Sequence, residues 1–353
     1  MHFQANLNLN QVLATSGNIS LYWIGYRYLV SGSLPRYKYQ YLAMKKIIST
    51  LFKISVSAIL LIYLFRKIDI KDVLQNMQGM YIPYILIGMG LYILGQVVCA
   101  YRWKLLSEIL DFQYRLKEFV ILYFAGLFFS LFLPTAVGGD VGKCYFLARR
   151  DGKILPAIVS VLADRGTGLV VIVLLSGVSL YLYGWTHIPQ QITFGILIAN
   201  ILLIIALIAP FFIGKYLSLL GRPAALSLTF WKNPSSLVKA IAISFVFHMM
   251  IIMIHILIGL SLNLNIPWRY YFFLIPLVVT ISMLPISLAG LGIREGSYVY
   301  FLSLIGIPQT EAMTFAFGWL FIVMVSSLLG GLSLFSSTVK RKGLAGLTVR
   351  QDT

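Results

Sequence analysis

Charge is scarce in this chain: only 11% of its 353 residues are Asp, Glu, Lys or Arg. A soluble domain needs roughly a quarter charged residues to cover its surface. Acids are the scarcer sign, 11 against 28 Lys and Arg. Two cysteines, Cys99 and Cys144, exclude a disulfide framework and a cysteine metal site. Also missing are a glycine-rich nucleotide loop, His-Glu-x-x-His and Gly-x-Ser-x-Gly. ATP hydrolysis is therefore not expected within this chain, and neither a cofactor nor a metal is called for.

What is abundant is apolar: 59% of residues, with a mean hydropathy of +0.88. After position 47 no long stretch lacks an apolar run, so no soluble catalytic domain fits there. The expected fold class is an all-α integral membrane protein. A net charge of +17 on a soluble protein would suggest nucleic acid. Here the basic residues flank apolar runs, as cytoplasmic loops beside anionic lipid do, so no nucleic-acid partner is expected.

A helix crosses about 30 Å of hydrocarbon with about 20 apolar residues. Six segments qualify: 48–65, 81–100, 166–183, 192–213, 240–264 and 312–337. Two shorter runs, Phe119–Leu133 and Tyr271–Leu284, offer only about 21–22 Å of helix and stop at Pro134 and Pro285. Each leads into glycines, charges and a second short run. They read as re-entrant hairpins, 119–148 and 271–307.

Charge distribution orients the segments. Lys45 and Lys46 put the N-terminus on the cytoplasmic side. Arg102, Lys104, Arg115 and Lys117 place 101–118 there as a loop, and Arg149, Arg150 and Lys153 follow on the same side. Segment 119–148 then enters and leaves from the cytoplasm. Loop 184–191, without Lys or Arg, belongs outside; loop 214–239, with Lys215, Arg222, Lys232 and Lys239, belongs inside. Lys340, Arg341 and Lys342 place the C-terminus inside, so 271–311 begins and ends outside, with Glu311 in solvent. The two hairpins would face opposite ways. Their sequences also correspond: after each Leu-Pro comes Gly at Pro+5 (Gly139, Gly290), a base at Pro+9 (Lys143, Arg294) and an acid nearby (Asp140, Glu295). Oppositely oriented repeats with broken helices are a transporter architecture. Residues 1–43 read as a polar extension, 44–339 as the membrane domain and 340–353 as a basic tail.

Irregular backbone at membrane depth must line protein or a wet cavity. In the first hairpin Gly138 and Gly139 permit a tight turn with free amides, and Lys143 supplies a point charge for a phosphate. In the second, Gly290 and Gly292 surround Arg294, which suits a bidentate phosphate contact, and Glu295, which suits an amine or Arg294 itself. Asp164 and Arg165 lie about 12 Å along a helix starting near Pro156, and one or both should reach the first hairpin. The plainer readings are local ion pairs at hairpin tips and an interfacial pair at 164–165. His248 and His255 share a helix face but have no nearby acid, so packing or a hydrogen bond to a neighbouring helix is expected. Gly330-Gly331 reads as close helix packing.

Arg102-Trp103-Lys104-Leu105-Leu106, Leu133-Pro134 through Gly-Gly-Asp-Val-Gly-Lys at 138–143, Asp164-Arg165 and Pro285 through Gly-Leu-Gly-Ile-Arg-Glu at 290–295 together resemble one family. It is the flippase-like transmembrane region of lysylphosphatidylglycerol synthases and their stand-alone relatives. The resemblance covers about 44–340. It implies translocation of a lipid whose head group meets Asp140, Lys143, Asp164, Arg165, Arg294 and Glu295. In two-part members a separate soluble domain makes the aminoacylated lipid; that domain is not expected in this sequence. Family members often carry Glu and Arg in the first hairpin where this chain has Asp140 and Lys143.

The expectation is a flippase in the cytoplasmic membrane whose partners are anionic or phosphate-containing membrane lipids and a separate lipid synthase or glycosyltransferase. Two alternatives stay open: a transferase using a polyprenyl-phosphate donor, and a non-catalytic subunit of a synthase.

Overall fold

The computed structural model describes residues 36–132, 138–184, 188–218, 222–283, 287 and 290–335. The expectations for 1–35, for both Leu-Pro tips and for the tail after 335 lie outside these. The chain divides into two units, Met1–Ser55 and Val56–Thr353. Of the first, the described part is the start of helix α1, Arg36–Lys67, which begins upstream of Met44. All that follows concerns the second unit.

Among the described residues the unit is helical, without a strand. After α1 come α2 (Ile70–Gln78), α3 (Ile82–Glu108), α4 (Leu116–Phe132), α5 (Gly138–Asp151) and α6 (Ile154–Ser179), which runs on as a π-turn to Gly184. Then follow α7 (Gln190–Ser218), α8 (Arg222–Trp231), α9 (Pro234–Ser261), α10 (Trp268–Met283), α11 (Ile293–Ser303) and α12 (Gln309–Leu329), with a 3₁₀ turn at Gly330–Phe335. The breaks follow local chemistry. Asp69 accepts a hydrogen bond from the Lys71 amide to start α2, and Pro83 and Pro234 occupy first-turn positions where no amide is needed.

Five helices are long and apolar enough to cross a membrane: Ile82–Glu108, Ile154–Gly184, Gln190–Ala209, Pro234–Ser261 and Gln309–Ser333. They coincide with five of the six expected spans. The sixth, 48–65, lies within α1.

Three loop expectations are corrected. Helix α3 runs on through 101–108, because Trp103 and Leu106 are buried and extend its packed face. Much of 214–239 is helical, carrying the end of α7, all of α8 and the start of α9. Glu311 is a partly buried residue in the first turn of α12, where a carboxylate meets the positive end of the helix dipole.

The core has two parts. One gathers Phe273, Tyr298, Phe315 and Ile258 from α9–α12; the other packs Trp103, Phe119, Leu122 and Leu147 from α3, α4 and α5. Gly330 and Gly331 behave as packing glycines: a methyl at Gly330 would lie 2.5 Å from the Phe124 carbonyl, and one at Gly331 would lie 2.8 Å from the Phe128 ring.

Candidate functional site

Helices α4 and α5 pack together through glycine. A methyl at Gly139 would lie 2.2 Å from both the Gly126 carbonyl and Ser130 Oγ. One at Gly126 would meet the Lys143 stem at 2.9 Å. Gly139 is therefore needed for helix contact, which corrects its expected role as a turning glycine. Gly138 is buried as the first residue of α5.

That contact sets two charges of α5 against the neighbouring helices. Both Asp140 oxygens accept from Arg165 on α6: Nε donates to Oδ2 at 2.9 Å and Nη2 to Oδ1 at 3.0 Å. The Lys143 ammonium stands 3.7 Å from Asp140 Oδ1, beyond hydrogen-bond length. It lies over the Tyr123 ring, 3.4 Å from the centroid, with the Trp103 ring at 5.9 Å. Trp103 is oriented by Nε1 donating to Ser160 Oγ at 3.1 Å.

Asp164 turns away from its neighbour Arg165, as adjacent helical residues do. Its Oδ1 accepts from Arg102 Nε at 2.7 Å, and Arg102 Nη1 donates to Ser244 Oγ on α9 at 2.7 Å. A methyl at Gly168 would sit 3.6 Å from Nη1, in ordinary contact with that guanidinium. Arg102, Asp164 and Lys143 are all buried, while the Arg165 side chain keeps 48% of its exposure. A buried charge needs a partner, and here each acid has one.

The second charged group is separate. Arg294 donates from Nε and Nη2 to Glu295 Oε1, at 2.9 and 2.6 Å. Glu295 Oε2 accepts from the Gly292 amide at 2.7 Å, closing the first turn of α11. Gly290 and Gly292 have φ of +79° and +82°, and a methyl at Gly292 would also meet Leu60 Cβ at 2.9 Å. No described hydrogen bond or ion pair links this pair to the first group.

The model of the lysylphosphatidylglycerol synthase TM region matches residues 50–331. The chain belongs to this family. No curated protein matches it. Every member of both charged groups lies inside the region matched to the lysylphosphatidylglycerol synthase TM family.

Arg165, Asp140 and Lys143 thus come together, Asp164 joins a neighbouring pair, and Arg294 and Glu295 pair with each other. Sequence reasoning missed Arg102, which was read as a loop cation. The available signal was the apolar Trp103, Leu105 and Leu106 continuing the helix past it. His255 Nε2 meets the Tyr298 hydroxyl of α11 at 2.7 Å, the expected bond to a neighbouring helix, while His248 is buried and its Nδ1 meets the Ser244 carbonyl of its own helix at 2.7 Å.

Proposed function

We propose that this chain is a lipid translocase, moving the polar head group of a phospholipid or lipid-linked intermediate across the cytoplasmic membrane. One observation carries the proposal: a mixed-charge cluster from α3, α5 and α6, tied to α9 through Ser244, stands inside a bundle of apolar helices. Charges at membrane depth cost several kcal/mol and mark substrate or ion pathways. Asp140, Lys143, Asp164 and Arg165 form the inner head-group station, and Arg294 and Glu295 the outer one. Half-exposed Arg165 is the point of first contact, and the acyl chains stay in lipid.

Helix lengths support re-entrant hairpins. Helices α4 and α10 have 17 and 16 residues, and α5 and α11 have 14 and 11. All fall short of about 20. With the charge distribution this favours hairpins opening to opposite sides, with both termini in the cytoplasm.

The test is reconstitution into liposomes carrying a fluorescent phospholipid, followed by quenching from outside. Protein should expose inner-leaflet lipid, and Arg165→Ala should slow that exposure with protein amount unchanged. Equal quenching with and without protein would overturn the proposal.

A further inference from the structure

The charges around Lys143 do not balance. Its charged neighbour is Asp140, 3.7 Å away, which Arg165 already binds. Asp164 is bound to Arg102. His248, in range of Arg102, counts as uncharged above its ordinary pKa of about 6.5. Residues 133–137 carry no ionisable side chain. The cluster therefore holds three cations, Arg102, Lys143 and Arg165, and two carboxylates. One positive charge is in excess.

Geometry places that excess on Lys143. Arg165 takes both oxygens of Asp140, and Arg102 takes Asp164. Lys143 has Asp140 at 3.7 Å and otherwise the faces of two aromatic rings. An aromatic face attracts a cation but does not neutralise it. The Arg294–Glu295 pair is balanced by comparison.

We infer that the cluster selects lipids by net charge, taking a head group with a single negative charge on a phosphodiester in preference to a cationic, aminoacylated one. The inference rests on the translocase reading and runs against the family's description. A phosphodiester brings the site to neutrality. A lysine ester adds two ammonium groups to that phosphodiester, giving a net positive head group that doubles the imbalance. Arg165, half exposed, receives the phosphate oxygens, and Lys143 supplies the compensating charge.

The test is competitive binding to the full chain in detergent at about 0.15 M salt, where surface charges are screened beyond about 8 Å. The probes are fluorescent phosphatidylglycerol, lysylphosphatidylglycerol and phosphatidylethanolamine. Phosphatidylglycerol should win by at least about tenfold over either competitor. Lys143→Met should reduce the preference to about twofold or less, while Lys239→Gln, an exposed cation on α9, should leave it unchanged. If Lys143→Met does not fold, Asp140→Asn raises the excess to two charges. Preference should then move toward dianionic phosphatidic acid at pH 8. Equal or tighter binding of lysylphosphatidylglycerol overturns the inference, as does a preference that survives Lys143→Met, fails to move in Asp140→Asn, or falls equally with Lys239→Gln. Charge-selective binding without lipid movement in liposomes would defeat the translocase reading alone. Movement without charge preference would defeat only this inference.

Discussion

Arg165 grips Asp140 with two parallel hydrogen bonds, 2.9 and 3.0 Å long, across the interface between the first short hairpin and a long apolar helix. A forked contact of this kind fixes orientation as well as distance. Lysine cannot reproduce it. Arg165→Lys should keep the protein folded yet lower lipid movement several-fold, and Arg165→Ala should lower it further. Liposome quenching rates normalised to protein amount check this order. Equal rates for Lys and Arg at this position would show that charge alone matters.

Arg102 and Asp164 predict a folding effect. Removing Arg102 leaves a buried carboxylate without its cation, at a cost of about 3–5 kcal/mol. Arg102→Met should therefore lose most folded protein, read by size-exclusion profile and thermal unfolding in detergent. Arg102→Met combined with Asp164→Leu removes both charges and should recover much of the loss. A double variant no better than the single would place the cost in the lost hydrogen bond to Ser244 and the packing around it.

Gly139 and Gly292 should be intolerant for different reasons. Gly139→Ala drives a methyl onto the Gly126 carbonyl, which is backbone and cannot rotate aside. Overpacking of this kind costs about 1–3 kcal/mol. Gly292→Ala adds a left-handed φ to a contact with Leu60. Gly90→Ala, where a methyl meets nothing within 4 Å, serves as the control and should be neutral. Unfolding midpoints of the three variants test the ranking.

His255 should prove structural. Tyr298→Phe removes its Nε2 partner and should cost about 1 kcal/mol. Lipid movement by the remaining folded protein should be unchanged. A loss of movement at full stability would put the His255–Tyr298 pair on the transport path.

Sidedness is open to cysteine labelling. Residues 149–153 should react only from the cytoplasm and 184–191 only from outside. Labelling of 149–153 from outside would remove the re-entrant hairpins from the proposal.

Composition and the lengths of apolar runs were enough to determine an all-helical membrane protein and five of its long helices, because burying backbone in lipid leaves few alternatives to a helix. The spacing of Asp140, Lys143, Asp164 and Arg165 was enough to suggest that α6 meets the first hairpin. Partner choice was beyond it. Adjacent Asp164 and Arg165 differ in direction by about a third of a turn, so which neighbour each meets depends on how α3, α5 and α9 surround α6. Arg102 sits 62 positions from Asp164, and nothing local marks it as buried. The glycines of the first hairpin read equally well as turns or as contacts until Gly126 was seen opposite Gly139. The unbalanced charge at Lys143 is likewise tertiary, since it exists only once Arg165 has taken both oxygens of Asp140 and Arg102 has taken Asp164.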